Sequence, residues 1–199
     1  MTLQEPLPDI VRKSEVTKDG VVWDDHITLS YEPFLGTIAT SPAIEAVGAL
    51  TPDSHGGNMD LPDVAPGSTL YLPVRVDGAL LYLGDGHAAQ GDGEVCGVAV
   101  EIATITTLKL DLVKSWSLTW PRLENDEFVM SIGSARPLED ATRIAYGDLI
   151  RWMEADYGFD RWDAYMILSQ VGRVRLRNMV DPNYTVGASI EKRYLGQGG

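Results

Sequence analysis

Hydrophobic positions along the first two thirds of the chain form short runs separated by glycine, proline and aspartate. Two clear runs are 69–76 (TLYLPVRV) and 78–84 (GALLYLG). Alternating or β-branched runs of this kind predict strands. The Asp77-Gly78 pair between them favours a type I′ hairpin, which would pair the two runs with each other. The longest run, 95–113 (VCGVAVEIATITTLKLDLV), predicts one strand or several consecutive strands.

The last third of the chain changes to a helical period. Residues 137–158 predict a helix that ends before Gly158, and Asp160 predicts the cap of a second helix over 161–170. The apolar face of the first helix is formed by Ala141, Ile144, Ala145 and Leu149. Residues 173–180 (RVRLRNMV) alternate again and predict a strand.

These patterns predict an α+β fold that is predominantly β. We divide the chain into an N-terminal arm over 1–20, a β-rich domain over 21–133, and a helical pair with a terminal strand over 134–199. The arm is polar and contains two prolines, which favours an extended connection.

Composition narrows the class of protein. The 199 residues are 44% hydrophobic and 23% charged, as in globular proteins, and a folded chain of this size exposes about 9,200 Å². The net charge of −13 argues against nucleic acid or an anionic membrane as a partner. A single cysteine, with no signal-peptide-like or membrane-spanning run, predicts a soluble, cytoplasmic protein.

Two glycine-rich segments, 54–60 (SHGGNMD) and 84–94 (GDGHAAQGDGE), concentrate the polar side chains that carry chemistry. Those side chains belong to His55, Asn58, Asp60, Asp85, His87, Gln90, Asp92 and Glu94. Imidazoles and carboxylates together suit Zn²⁺, which in catalytic sites takes three protein ligands and leaves one position open. Gly-Asp-Gly sequences are also common in turns that have no other function. Flexible loops with several carboxylates could bind Ca²⁺ as well, so Ca²⁺ is our second choice of metal.

Three further residues have alternative interpretations. Glu94 lies between the second loop and an apolar run, where partial burial would raise the pKa of its carboxyl and suit it to general-base catalysis. Apolar neighbours predict that Cys96 is a buried, inert thiol, although His87 is close enough in sequence to keep a nucleophilic role open. His26, on an alternating run, is interpreted as a surface residue.

The two loops and their flanks resemble the acetamidase/formamidase family of amide hydrolases. The resembling segments are 32–40 (EPFLGTIAT), 54–101 and 157–190, within about residues 20–195. The resemblance implies hydrolysis of the C–N bond of a small linear amide by an enzyme that uses a divalent metal such as zinc. It also implies a β-sandwich-like body with an appended α+β region.

On this resemblance we assign roles to the loop residues. The metal would lie on His55, His87 and a carboxylate from Asp60 or Asp85, and Glu94 would transfer protons. Asn58 and Gln90 complete the predicted catalytic set, with Asn58 and backbone N–H groups holding the developing oxyanion.

In the family members that this chain resembles, a β-rich half precedes these segments. The resemblance therefore implies a hetero-oligomer in which a second subunit supplies that half. Two alternatives to a metal-dependent amidase subunit stay open: a thiol amidase that uses Cys96, and a non-catalytic structural or regulatory subunit whose loops bind Ca²⁺.

Overall fold

The computed structural model describes residues 3–196, so residues 1–2 of the predicted arm and 197–199 of the last predicted segment lie outside the described residues. In these described residues, two helices follow the tenth of twelve strands. The strands are β1 Glu15–Thr17, β2 Gly20–Val22, β3 Thr28–Leu29, β4 Phe34–Ala39, β5 Gly56–Asn58, β6 Thr69–Tyr71, β7 Tyr82–His87, β8 Glu101–Ile102, β9 Arg122–Glu124, β10 Phe128–Ala135, β11 Arg173–Asn178 and β12 Tyr184–Glu191. The helices are α1 Leu138–Tyr157 and α2 Arg161–Val171, and a short 3-10 helix spans Lys192–Tyr194.

The described strands form three sheets. Strands β1, β2 and β3 form a small sheet, and a five-stranded sheet has the order β11-β12-β10-β9-β6. The four-stranded sheet has the order β5-β4-β7-β8. Every pairing is antiparallel. The predicted α+β, predominantly β class is confirmed.

The five-stranded sheet lies between two hydrophobic cores. On one face, Val129 of β10 and Val186 of β12 belong to a core shared with α1 and α2. On the other face, Met130 and Ile132 of β10 pack in a second core with Ile38 of the four-stranded sheet. Successive strand residues point to opposite faces, so β10 serves both cores. The layers are therefore helices, five-stranded sheet and four-stranded sheet.

Helix α1 packs closely on β10 because Gly133 has no side chain. A Cβ there would lie 2.2 Å from the carbonyl oxygen of Ala141 and 2.8 Å from the amide nitrogen of Ala145. Both alanines are fully buried on the helical face that the sequence predicts. Small residues on both elements bring helix and strand together, so substitution of Gly133 would push them apart.

The predicted helix ends are confirmed. Gly158 adopts a left-handed conformation with φ of 69°, and its N–H donates to the Met153 carbonyl. The Asp160 side chain accepts hydrogen bonds from the backbone N–H groups of Trp162 and Asp163 at the start of α2. A glycine and an aspartate at these positions satisfy backbone groups that a helix leaves free at its ends.

The hairpin prediction is wrong. Strand β6 pairs with β9, and β7 pairs with β4 and β8, so the two runs joined by Asp77-Gly78 do not pair with each other. Gly78, Ala79 and Leu80 have consecutive positive φ angles of 80°, 54° and 52° in the turn between them. The chain therefore passes from one sheet to the other here, because each run finds a more distant partner.

Two other predictions need correction. The long run 95–113 contributes only β8, and the polar arm over 1–20 includes β1 and the start of β2. Short β-branched runs become strands only where a partner edge is available, so hydrophobicity alone overestimated the strand content of 95–113. Among the described helices, none is both long and apolar enough to cross a membrane.

A buried carboxylate joins α1 to the five-stranded sheet. Asp148 of α1 is fully buried and accepts hydrogen bonds from Arg122 Nε at 2.7 Å and Ser131 Oγ at 2.7 Å. Burial disfavours the ionised carboxyl, but the hydrogen bond and charge of Arg122 outweigh it and hold the pKa of Asp148 below its usual value. Removing one member of a buried pair leaves the other charge uncompensated.

We expect Asp148→Asn to lower the free energy of unfolding by about 3 kcal/mol, measured by urea denaturation at pH 7. Because the folded pKa is depressed, the stabilisation is present above the unfolded value of about 4 and is lost as pH falls through the lower folded value. Asp140→Asn, at an exposed pair on the same helix, is the control and should cost under about 1 kcal/mol. Equal effects of the two substitutions would contradict this assignment.

Candidate active site

Strand β4 lies between β5 and β7, and the polar residues of the candidate site lie on these two strands or shortly after them. Asp85 and His87 lie on β7, and Asp60 follows β5 by two residues. A Cβ at Gly36 of β4 would lie 2.6 Å from both Asp60 Oδ1 and Asp85 Oδ2, and 3.0 Å from His87 Cε1. The missing side chain therefore leaves the space on which these three polar groups converge.

Gln90 fixes the orientation of the His87 ring. The Gln90 amide donates to the carbonyl oxygens of Asp60 at 2.8 Å and Arg177 at 3.1 Å, which directs its own oxygen toward His87 Nδ1 at 2.9 Å. Nδ1 therefore carries a hydrogen. The other ring nitrogen, Nε2, faces Asp85 at 3.2 Å and Glu101 at 3.3 Å. Such a partner behind the ring is how proteins hold an imidazole ready for a metal.

Two asparagine side chains hold Asp60. Its Oδ2 accepts hydrogen bonds from Asn58 Nδ2, at 2.9 Å, and from Asn178 Nδ2. The same two amides also donate to Asp181 Oδ2, each at 2.8 Å. Asn58 Oδ1 accepts from Thr37, so the Asn58 side chain is fully engaged. Asp60 Oδ1, in contrast, is buried on the Gly36 side and has no hydrogen-bond partner among the described residues.

The loop that carries Glu94 is fixed to the end of β11. Arg177 is buried and pairs with Asp63 at 2.6 Å and with Asp92 at 2.8 Å. The backbone N–H of Met179 donates to the Gly93 carbonyl at 3.0 Å. Glu94 is itself buried, and its Oε2 lies 3.4 Å from Asn178 Nδ2. A glycine-rich loop is therefore held in one position by a distant strand.

Burial dominates the electrostatics of the carboxyls. It raises the pKa of Asp60 to about 8 and that of Glu94 to about 7, and the neighbouring carboxylates reinforce the shift at Asp60. Burial opposes the charged form of His87, but the carboxylates of Asp85 and Glu101 outweigh it and raise the His87 pKa to about 9. The hydrogen bond with His87 lowers the pKa of Asp85. Near neutral pH the site thus retains protons that a cation would displace.

Three site carboxylates have a backbone conformation that L-residues rarely adopt. The φ angles are 44° for Asp60, 62° for Asp85 and 47° for Glu94. Such positions cost of order 1–3 kcal/mol each and persist where surrounding contacts enforce them. Here the contacts are the strand pairing of β7 and the asparagine and arginine bonds described above. The strain concentrates where the polar side chains converge.

Two sets of side chains could hold a metal ion in the described part of the chain. Asp60, Asp85 and His87 each offer a ligand atom within 4.8 Å of the others, and His87, Glu94 and Glu101 form a second set with the same spacing. The first set includes the unpartnered Asp60 Oδ1 and the space at Gly36. An imidazole with two carboxylates is a donor set that suits a divalent ion such as Zn²⁺. These residues fit a metal.

His55 lies outside both sets. Its side chain is buried, its Nε2 has no hydrogen-bond partner among residues 3–196, and burial lowers the pKa of its imidazole against the opposing charge of Asp53. The two glycine-rich segments meet where Asp60 lies beside Asp85 and His87, and where the Asp60 carbonyl accepts a hydrogen bond from Gln90.

Two predicted surface or core positions have clear outcomes. Cys96 is exposed, so the prediction of a buried thiol is wrong, because residues 95–98 lie on the surface beyond the docked Glu94 loop. Its Sγ donates to the Val98 carbonyl at 3.3 Å. His26 is exposed, as predicted.

Sequence reasoning missed Glu101, Asn178, Asp181 and Thr37. Glu101 lies in the run 95–113, which predicts strands, Asn178 lies near the end of the predicted strand 173–180, and Asp181 follows that strand. A polar residue on each side of a turn that follows a strand was the available signal. It gave no hint that this turn contacts a loop more than 80 residues earlier in the chain.

We expect the metal-free protein to become less stable as pH rises from about 6 to 9. Asp60, Glu94 and His87 have folded pKa values above their unfolded values, so the stability they contribute is lost as pH rises through about 7 to 9. Asp60→Asn should remove about 2 kcal/mol of this loss, measured by urea denaturation across that range. Asp77→Asn, at an exposed aspartate, should leave the slope unchanged, and equal slopes in all three proteins would refute the assignment.

Comparison with known proteins places this geometry in a family. Residues 12–192 match the Acetamidase/Formamidase family. The chain is 32% identical over 168 residues to an acetamidase of Mycolicibacterium smegmatis, covering 81% of this chain and 39% of that protein. It is 41% identical over 81 residues to a formamidase of Methylophilus methylotrophus, covering 40% and 20% respectively.

A solved acetamidase structure from Yersinia enterocolitica is 60% identical, with a TM-score of 0.95 over 99% of this chain and 60% of that one. The chain thus spans about two fifths of the first curated relative and three fifths of the solved one. The matched range includes every residue of the site described above. The chain belongs to the Acetamidase/Formamidase family.

Proposed function

We propose that this chain is a subunit of a metal-dependent amidase that hydrolyses the C–N bond of a small linear amide, giving a carboxylate and ammonia or an amine. The convergence of Asp60, Asp85 and His87, with Glu94 on the neighbouring loop, is the observation that carries the proposal. The relatives named acetamidase and formamidase support a formamide- or acetamide-like substrate.

Asp60, Asp85 and His87 would hold the metal, with zinc as first choice because one donor is an imidazole. A bound divalent ion polarises a carbonyl oxygen and makes a water molecule more acidic. Hydrogen bonds from neighbouring residues fix the orientation of these ligands. Gln90 bonds to the His87 ring, while Asn58 and Asn178 bond to Asp60. In this role Gln90 and Asn58 are positioning residues.

Glu94 is the proposed general base. Its pKa of about 7 lets it accept a proton near neutral pH. It takes that proton from water as the water oxygen bonds to the amide carbon. It returns a proton to the nitrogen as the C–N bond breaks, so that the amine leaves as a neutral molecule. Backbone N–H groups of the glycine-rich loops are our candidates for holding the developing oxyanion.

A second polypeptide that packs on this chain is part of the proposal. A total exposed surface of 12,111 Å² supports such a partner, because it exceeds the value of about 9,200 Å² expected for a folded chain of this size.

The thiol alternative has less support. Cys96 is exposed, and its recorded hydrogen-bond partner is a backbone carbonyl rather than an imidazole. A nucleophilic thiol needs a neighbouring base or cation. A Ca²⁺-binding structural subunit is disfavoured by the imidazole in the donor set, since Ca²⁺ takes oxygen ligands.

We expect His87→Gln to reduce bound zinc by about tenfold or more, and His55→Gln to leave it unchanged. The first substitution removes a proposed ligand, and the second changes a buried imidazole outside both candidate sets. Elemental analysis after zinc loading and dialysis measures both variants. Equal zinc loss in the two variants would contradict the ligand assignment, and calcium in place of zinc would favour the structural-cation alternative.

We expect Glu94→Gln to lower kcat for ammonia release from formamide or acetamide by about 10²–10⁴, with bound metal retained. The measurement uses the assembled protein, and Glu45→Gln, at an exposed glutamate, is the matched control. A chelator should abolish turnover, whereas iodoacetamide should not. Inactivation by iodoacetamide alone, with no effect of Glu94→Gln, would favour the Cys96 mechanism instead.

A further inference from the structure

The polar side chains of the candidate active site differ sharply in their exposure to solvent. Asp60 and His87 are each 1% exposed, and Glu94 is 7% exposed. The side chains of Asp85 and Glu101, in contrast, are 32% and 50% exposed. A small molecule that enters the site from solvent therefore meets Asp85 and Glu101 first. We call these two residues the site entrance.

Glu101 lies beside the imidazole of the proposed metal site. Strand β8 pairs with β7 in the register that places Glu101 opposite His87, and Glu101 Oε2 lies 3.3 Å from His87 Nε2. The other oxygen, Oε1, accepts a hydrogen bond from the backbone N–H of Ala99 at 3.0 Å. A carboxylate can accept about four hydrogen bonds. Glu101 is therefore held in place with capacity left for a further donor.

Carboxylates at the site entrance have no basic side chain to offset them. Within residues 3–196, the ion pairs of Asp85 and Glu101 are with His87, and no lysine or arginine pairs with either residue. Arg177, which holds the Glu94 loop, already pairs with two carboxylates outside the entrance. The entrance is therefore negative.

A bound metal ion would not reverse this charge. A divalent ion would offset the two carboxylates that bind it, Asp60 and Asp85, and would displace the proton from His87. The Glu101 carboxylate would then be left without a compensating charge. At a partly buried surface, two charges interact about four times more strongly than they do in water. A positive group beside Glu101 is therefore stabilised.

The inner end of the site gives a direction to any bound amide. Asp60 Oδ1 is buried there without a partner among the described residues, facing the space that the absent side chain of Gly36 leaves. In the proposed reaction the amide carbonyl lies at this inner end. The rest of the substrate then extends toward solvent and passes Glu101.

We propose that the site prefers small amides whose acyl group carries an organic cation, such as an ammonium group, over neutral amides of the same shape, and that Glu101 binds this cation. The proposal deepens the proposed function, on which the position of the reacting amide rests. The N–H groups of the cation donate to the Glu101 carboxylate, and hydrogen bonds between charged groups are stronger than neutral ones. Formamide and acetamide lack such a group and make no contact of this kind.

A role for Glu101 as a metal ligand is the alternative. Glu101 forms the second possible set of metal ligands with His87 and Glu94. Loss of a metal ligand lowers bound metal and slows the hydrolysis of all amides alike. Loss of a residue that binds only the substrate cation changes the preference between amides. The ratio of two substrates therefore separates the two roles.

The test compares 3-aminopropanamide, which is an ammonium ion at pH 7, with butyramide, in which a methyl group replaces the ammonium group. We expect kcat/KM for ammonia release to be at least about tenfold higher for 3-aminopropanamide at low ionic strength. Added salt should reduce this ratio, because it screens a partly exposed charge. A ratio near one at low ionic strength would overturn the proposal.

Two glutamine substitutions form a matched pair. Glu101→Gln keeps the shape of the side chain and removes its charge, so we expect it to lower the substrate ratio at least about fivefold. Glu139→Gln, at an exposed glutamate of α1 across the five-stranded sheet, should leave the ratio unchanged. Loss of bound zinc in Glu101→Gln with an unchanged ratio would overturn the proposal in favour of the ligand role. An equal change of the ratio in both variants would also overturn it.

Direct binding separates this proposal from the proposed function. The affinities of the same two amides for the protein as purified are measured by NMR titration, which needs no turnover. Tighter binding of 3-aminopropanamide, reduced by Glu101→Gln, with no hydrolysis of any amide would contradict the amidase proposal alone. Hydrolysis of both amides with equal affinities and equal kcat/KM would contradict the cation proposal alone.

Discussion

Several carboxyl groups buried around one imidazole can coexist only if protons, amide donors or a cation offset their mutual repulsion. In this chain the compensation is visible in each group: Asn58 and Asn178 donate to Asp60 and Asp181, and the pKa of Asp60 is raised. Like charges this close in a buried place do not ionise together. The local backbone, the loop contacts and the proposed chemistry all follow from this constraint.

The fold separates this constraint from the main source of stability. The helices and the five-stranded sheet enclose one core. At its edge, the buried ion pair between Asp148 and Arg122 links α1 to the sheet through opposite charges and a hydrogen bond. The candidate site lies in the four-stranded sheet and the turn after β11, across the second core. A strained polar cluster is easier to keep when a separate, well-packed layer supports it.

Local signals in the sequence predicted much of this structure, and distant contacts explain what they missed. Gly158 and Asp160 act within one helical turn, so both helix ends could be predicted. Asp77-Gly78 failed as a hairpin signal because β6 pairs with β9, about 50 residues away, a choice that no local pattern determines.

The site divides in the same way. The glycine-rich loops identified Asp60, Asp85, His87 and Glu94 as neighbours, because their residues were dense in short stretches. Asn178 and Asp181 reach the same place only through the path of β11, and Glu101 only through its pairing opposite His87. The run 95–113 contributes only β8, because pairing depends on a partner strand as well as on sequence.

At Asp60, Asp85 and Glu94, whose φ angles are positive, a residue that favours stability differs from the residue that the proposed reaction needs. Glycine adopts this backbone conformation freely, whereas any other residue is strained there. Glycine at these three positions would therefore relax the fold while removing the carboxylates on which the proposed reaction depends. Laboratory selection for heat resistance alone would therefore favour stable variants that lack activity. Each round of such a selection needs a separate screen for turnover.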